Sequence, residues 1–301
     1  MNQQRTSGPF DTIATVVGQA PSGATAYCIT LHCPEIARAA KAPQFFTMGC
    51  RSLQVSSQTA HAEDIPLDPI IRRPFGFYRT FPEKGEFQAI YKLEGRGTQL
   101  MTGLRTGDRV RVLGPLGNYV LPKDVKSQTV LLVGGGVGLP PLYFLAETLQ
   151  NAGKEPIVIV GARSKDVLIA PAAAQTLRCP VGPIRQVTSL EPFVERSIDC
   201  AVALEQPENG FFEGLVTTIL EKYLAMKFEG GVEIFTCGRF DMMRAVAKMA
   251  AQKSVKCTVI LESRMGCAIG ACQTCVVKTT TGYRRVCIEG PVFDAKDIVW
   301  D

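Results

Sequence analysis

Residues 129–164 read TVLLVGGGVGLPPLYFLAETLQNAGKEPIVIVGARS. The run opens as a continuous apolar strand and turns on Gly134, Gly135, Gly136 and Gly138. It then continues as an amphipathic helix to near Gly153 and closes on a second apolar strand. Such a βαβ unit builds a parallel sheet, whose ligands sit at the C-terminal ends of the strands. Glycines in the turn let the backbone approach a pyrophosphate, and the helix N-terminus behind them offers N–H groups that the helix itself leaves unpaired. Pro140 and Pro141 suit the first helical turn, where no donor is lost. Leu139 stands where G-x-G-x-x-G needs its last glycine, so this is not the standard dinucleotide fingerprint; on its own it also reads as a tight turn between core elements.

Downstream, VEIFTCGRFDMMRAVAKMAAQ (232–252) repeats the scheme of strand, small-residue turn and helix, which puts Cys237 and Gly238 at a strand's C-terminal end. Met242, Met243, Val246 and Met249 recur at helical spacing as core residues, and Leu215 to Leu224 predicts a further short helix. A parallel α/β nucleotide-binding domain is therefore expected over 125–255. Upstream, short alternating runs separated by turn residues, such as EFQAIYKL with Phe87, Ala89, Tyr91 and Leu93 on one face, predict a small antiparallel β-barrel over 1–124. Two polar insertions interrupt it: Arg72, Arg73, Pro74, Phe75, Gly76, Phe77, Tyr78, Arg79, and Gly95, Arg96, Gly97, Thr98, the second opening a short helix with Thr98 near its N-cap. Aromatic rings beside arginines could stack on a flat cofactor while a guanidinium meets phosphate; an exposed loop with a satisfied arginine reads equally well from spacing alone.

The chain of 301 residues, 46% hydrophobic and 20% charged, is too long and too apolar for a disordered segment or a disulfide-stapled miniprotein. Its net charge of +5 arises from 33 basic and 28 acidic residues spread along the chain, short of the clustered footprint of a nucleic-acid binder. Met1 to Arg5 leads into Thr6, Ser7, Gly8 and Pro9 without an apolar segment, and the longest apolar run, Val130 to Ala146, is broken by glycines and prolines. A cytoplasmic protein with no membrane span is expected. Eleven cysteines there are not disulfides. Seven are scattered, while Cys267, Cys272 and Cys275 follow the C-x4-C-x2-C spacing of plant-type 2Fe-2S centres, with Cys287 as a fourth thiol after eleven intervening residues. Gly266, Ala268, Gly270 and Ala271 leave room for the loop to wrap. A four-cysteine zinc site is the alternative, though it usually pairs two C-x2-C hairpins. A small cluster domain over 256–301 completes the expected architecture.

Taken together, a barrel with R-P-x-x and G-x-G-T, then GG-x-G-x-x-P, then a C-G turn resembles the ferredoxin-reductase family of flavoproteins. The extension LESRMGCAIGACQTCVV (261–277), continued by RVCIEGPVFDA (285–295), resembles the electron-transfer subunits of class B dihydroorotate dehydrogenases within it. That resemblance implies FAD in the barrel, along Arg73, Pro74, Phe75 and Gly76, with Ile90, Tyr91, Lys92, Gly97 and Thr98 holding the remainder. It implies NAD over Gly135, Gly136 and Gly138 with Cys237 as the catalytic residue near the nicotinamide, and a 2Fe-2S cluster on Cys267, Cys272, Cys275 and Cys287. It also implies a separate FMN-containing catalytic subunit that oxidises dihydroorotate in pyrimidine biosynthesis, assembled as a heterotetramer of two plus two, with electrons passing from its FMN through the cluster and FAD to NAD⁺.

The chain departs from relatives at Gly76, where a hydroxyl residue is usual, and at Arg239, where C-G-P is usual. The second strand is followed by Gly161, Ala162, Arg163 and Ser164 rather than by an acid for the ribose, so NADP stays open beside NAD. Other readings are a related ferredoxin-NADP reductase or sulfide dehydrogenase small subunit, a zinc-stabilised nucleotide-binding scaffold, and a self-sufficient reductase. His32 and His61 read as surface or structural residues.

Overall fold

The computed structural model describes residues 8–53 and 70–300, so His61 lies outside the described residues. The first seven strands are β1 (Phe10–Pro21), β2 (Ala26–His32), β3 (Phe45–Met48), β4 (Arg73–Gly76), β5 (Arg79–Phe81), β6 (Glu86–Lys92) and β7 (Arg109–Leu116). They form one antiparallel sheet in the order β4-β3-β7-β1-β2-β6-β5. β4 and β5 stand at opposite edges, yet only Phe77 and Tyr78 separate them, a link that reaches roughly 10 Å. The sheet must therefore curl until its edges meet, which makes the expected barrel. Alternation is clear on β7, where Arg109 and Arg111 face solvent while Val110 and Val112 are buried. Inside, the Phe46 ring lies 4.9 Å from both Phe77 and Phe87. The expected insertion at 72–79 is thus no loop: it supplies both edge strands, and Pro74 is tolerated because an edge strand has one unpaired side. Helices α1 (Pro34–Ala39) and α2 (Arg96–Met101) lie between barrel strands in sequence.

Beyond the barrel come β8 (Thr129–Gly134), α3 (Leu139–Asn151), β9 (Glu155–Ala162), the hairpin β10 (Ala172–Val181) and β11 (Ile184–Leu190), α4 (Glu191–Glu195), β12 (Asp199–Leu204), β13 (Phe212–Glu213), α5 (Val216–Leu224), β14 (Val232–Cys237), α6 (Phe240–Gln252) and β15 (Cys257–Ile260). The chain ends with β16 (Val276–Thr279), β17 (Gly282–Arg285), α7 (Val286–Glu289) and β18 (Val292–Asp294). A second sheet has the order β13-β12-β9-β8-β14-β15-β18, parallel except for β18. β8 and β12 are buried along their whole length, as strands covered on both faces must be. From β8 the chain builds outward through β9 and β12, then returns to the other side of β8 for β14 and β15. That reversal opens a crevice where Gly134 and Cys237 are register partners at the strand ends.

The expected division at 255/256 does not separate two sheets. β15 extends the parallel sheet and β18 pairs with it, so the C-terminal segment returns its last strand to the α/β sheet after making its cysteine loop. Apolar strands at 257–260 need a sheet to bury them, and β14 provides the nearest edge. Barrel and α/β lobe meet where Phe77 packs against Phe144, Tyr78 lies 4.7 Å from Tyr143, and Ser22 Oγ donates to Ile169 O at 2.6 Å.

Candidate functional site

The cysteine loop winds through left-handed backbone at Ala268 (φ 61°), Gly270 (84°) and Gln273 (57°). This coiling turns N–H groups inward. Ile269, Ala271 and Cys272 donate to Cys267 Sγ at 3.4, 3.3 and 3.3 Å, and Cys267 N–H donates to Cys272 Sγ at 3.4 Å. Thr274 Oγ1 donates to Cys272 Sγ at 3.2 Å, and with the neighbouring N–H groups it holds that exposed thiol down at about 6. Cys275 and Cys287 are only 2% and 1% exposed and adjoin one another; burial first, then Cys275, pushes the Cys287 thiol up to about 12. Arg285 ties the loop to α7, donating from Nη1 to Gly270 O at 3.2 Å and from Nε to Glu289 Oε2 at 3.2 Å, while Val286 N–H donates to Cys275 O at 2.9 Å.

The thiols thus come as two neighbouring pairs, Cys267 with Cys272 and Cys275 with Cys287. Among the described residues no group of three or more His, Cys, Asp or Glu side chains is placed to hold one metal ion. Four thiols in two pairs, with N–H groups already aimed at sulfur to offset thiolate charge, fit a 2Fe-2S group.

In the barrel, the Arg73 side chain and the start of α2 are brought side by side. A Cβ on the buried Gly97 would lie 3.1 Å from Arg73 Nε and 3.0 Å from Cys50 Sγ, so glycine lets the helix start close onto the arginine. Gly95, not Thr98, is the N-cap; Thr98 sits at N3, where its Oγ1 accepts from Glu94 N–H and Gly95 N–H at 3.1 and 3.2 Å. Ile90 and Lys92 share one face of β6, and Tyr91 alternates to the other. The Tyr91 side chain points into the barrel and donates to Gln19 Oε1 at 2.7 Å, while Gln19 Nε2 donates to the α2-end carbonyls of Met101, Thr102 and Leu104. Tyr91 therefore offers a ligand only its backbone. Gly76 abuts the other lobe, since a Cβ there would be 3.1 Å from Pro141 Cδ.

At the crevice of the second sheet, the glycines divide the work. A Cβ on Gly135 would fall 2.2 Å from Gly161 O, and one on Gly138 would fall 2.4 Å from Cys237 O, so both are packing glycines that let turns touch. Gly136 has φ 56° and nothing within 4 Å of its Cβ position, leaving it open to a ligand. The two turns that the sequence shows a hundred residues apart are one surface. Cys237 itself is fully buried, its thiol raised well above the usual range by burial and then by Glu262, whose Oε1 lies 3.9 Å from Sγ.

Glu262, two residues past the end of β15, is the residue that sequence reasoning passed over. The residue as a whole is exposed, but its carboxyl lies beside the buried Cys237 thiol; loss of hydration there, with the Glu94 carboxylate second, raises it to about 7. An acid at the C-terminal end of a strand beside the switch point was the available signal.

Residues 262–299 match the family model for the iron-sulfur cluster binding domain of dihydroorotate dehydrogenase B. The chain is 29% identical over 280 residues to the dihydroorotate dehydrogenase B (NAD(+)) electron transfer subunit of Desulforamulus reducens, covering 91% of this chain and 93% of that one. It is 35% identical over 240 residues to the subunit of the same name from Bacillus cereus, covering 77% and 81%. Among solved structures, that of an NADH-dependent reduced ferredoxin-NADP oxidoreductase superposes with a TM-score of 0.74 at 25% identity, over 97% of this chain and 91% of that one. A ferredoxin NADP⁺ reductase from Neisseria gonorrhoeae, with bound FAD and NADP, shares the fold at a TM-score of 0.57 and 13% identity, over 82% and 92%. At 35% identity over about four-fifths of that Bacillus cereus subunit, and with a cluster-domain match at its C-terminal segment, the chain belongs to the family of dihydroorotate dehydrogenase B (NAD(+)) electron transfer subunits.

Proposed function

We propose that this chain takes electrons from an FMN-containing catalytic subunit that oxidises dihydroorotate and delivers them to NAD⁺, in a cytoplasmic heterotetramer of two chains of each kind. It is an oxidoreductase subunit that works with FAD, a 2Fe-2S cluster and NAD. When bound, these groups supply the redox chemistry: the flavin handles electron pairs or single electrons, the cluster singles, and the nicotinamide a hydride. The chain supplies position. Cys267, Cys272, Cys275 and Cys287 would hold the cluster, with the first pair toward solvent and the second toward the body of the protein. Arg73 and the start of α2 at Gly97 and Thr98 would take the flavin pyrophosphate, β4 (Arg73, Pro74, Phe75, Gly76) its edge, and Ile90, Lys92 and the Tyr91 backbone the remainder.

Gly136 would face the dinucleotide pyrophosphate, while Gly135 and Gly138 keep the turns in contact. Cys237, fully buried, would act from beneath through Glu262, which at neutral pH can hold or release a proton at the mouth of the crevice. NAD is favoured over NADP because the relatives that match over most of the chain are NAD(+) electron transfer subunits by name. The three functional units follow 1–124, 125–255 and 256–301, the last anchored through β15 and β18. No helix among the described residues is long and apolar enough to cross a membrane.

The observation that carries this reading is the pair of thiol pairs with N–H groups directed at sulfur. Reconstitution with the catalytic subunit tests it. Dihydroorotate-dependent NAD⁺ reduction should appear with the parent chain and vanish with Cys272→Ser or Cys287→Ser; unchanged turnover in either variant would overturn it.

A further inference from the structure

Between the barrel and the cysteine segment lies a contact that none of the cofactor-binding motifs includes. Leu116 ends β7, Gly117 turns with φ 77°, and Asn118 follows. Asn118 N–H donates to Gly290 O at 2.6 Å. Its side chain donates from Nδ2 to Glu289 O and to Val292 O, both at 2.9 Å, and accepts Val292 N–H on Oδ1 at 2.8 Å. One amide thus saturates three backbone groups on either side of Gly290–Pro291. The backbones also touch: a Cβ on Gly117 would lie 2.5 Å from Pro291 Cδ and 2.7 Å from Gly290 O.

The two ends of this contact matter. On one side, Glu289 closes α7, two residues after Cys287. On the other, Leu116, Phe45 and Gly76 are register partners across three adjacent barrel strands, and Gly76 ends the strand assigned above to the flavin edge. A covalent and hydrogen-bonded route from β4 to a cluster thiol therefore runs through Asn118. Resting on the function proposed above, we infer that Asn118 is a positioning residue for electron transfer: it clamps the cluster segment to the flavin-bearing sheet at fixed separation. It touches neither group. Electron tunnelling falls exponentially with distance, so a small displacement of α7 is felt in that rate, while hydride chemistry at the crevice of the second sheet, where Asn118 makes none of these bonds, is not.

The test uses holoprotein carrying Asn118→Ala or Asn118→Asp, each of which removes both Nδ2 donations. Gln150→Ala serves as a stability control; it loses a side-chain bond to Arg196 O within the α/β lobe. Hydrogen exchange of segment 286–293 should quicken in both Asn118 variants and stay slow in the control. In stopped flow with NADH, flavin bleaching should be unchanged, whereas the following cluster bleaching should slow by about tenfold or more. Cluster bleaching at the parent rate with iron retained would overturn the inference, as would equal slowing of both phases, and so would unaltered exchange at 286–293. If the parent protein itself lacks iron or flavin, the functional reading fails; the exchange experiment then still decides whether the clamp exists.

Discussion

Substituting Gly138 by alanine tests whether the glycine turn and the C-G turn form one nucleotide site. The added Cβ would sit 2.4 Å from Cys237 O, 2.5 Å from Cys237 C and 2.7 Å from Gly238 N, all backbone atoms that no rotamer change can move aside. Ordinary contact begins near 3.4 Å, so the two turns must part by about 1 Å. Overpacking of this kind costs about 1–3 kcal/mol of stability. The larger consequence is functional, because a displacement of about 1 Å in a positioned site can cost on the order of a hundredfold in rate. Val137→Ala is the matched control: that side chain is 37% exposed and its loss leaves both turns in place. In stopped flow, NADH should reduce the flavin of Gly138→Ala at least about tenfold more slowly than in the parent, while dithionite reduces both alike and Val137→Ala behaves as parent. A Gly138→Ala protein with parental NADH affinity and rate would refute the joined-turn site.

Glu233 is 4% exposed and accepts Lys126 N–H at 2.7 Å, Ser127 N–H at 3.0 Å and Lys256 Nζ at 2.9 Å. Burial pushes its carboxyl up, but Lys256 and the two N–H groups outweigh that and hold it below the usual carboxylate range. Its contribution to stability is therefore complete above the unfolded value and is lost as pH falls through the folded one. Because Lys256 is half exposed, the main loss in Glu233→Ala is the pair of N–H groups left unsatisfied, which should cost about 1–3 kcal/mol in chemical denaturation at neutral pH and flatten the acid limb of the stability curve; an unchanged acid limb would contradict this. In apo-protein, Cys272 should be the first thiol alkylated, with a midpoint at about 6, and Thr274→Val should shift that midpoint upward, as read by mass spectrometry across pH. For Glu262, flavin reduction by NADH should change with a midpoint near 7 in the parent and lose that inflection in Glu262→Gln; an inflection kept in the variant would exclude this carboxyl as its source.

The elements legible in the sequence were those with a strong period or a rigid spacing. The β8-α3-β9 run carries its own pattern of apolar strand, glycine turn and helix, and the cysteine spacing marks a tight loop that gathers thiols. What escaped were features set by partners distant in sequence. The run at 72–79 looks polar because its arginines are half-buried against partners distant in sequence: Arg72 on Asp11, Arg73 beside Gly97 and Arg79 over the Tyr143 ring. Tyr91 reads as a cofactor residue by position, but the parity of β6 turns its ring inward, and parity is settled only by Gln19 and the rings it meets. Cys237 reads as a residue at a strand end near the nicotinamide; it is fully buried, with the Gly138 turn against its backbone and Glu262 beside its thiol. Glu262 lies in the quoted stretch 261–277 but outside its cysteine spacing, and Asn118 belongs to no motif. Their roles arise from what the fold brings opposite them.

Everything in the functional account depends on the quartet of thiols binding iron and inorganic sulfide together. Anaerobically purified protein should be coloured, contain iron and acid-labile sulfide in equal amounts along with FAD, and show the visible bleaching of a 2Fe-2S centre on reduction. A folded protein containing zinc and no sulfide would contradict the account at its root.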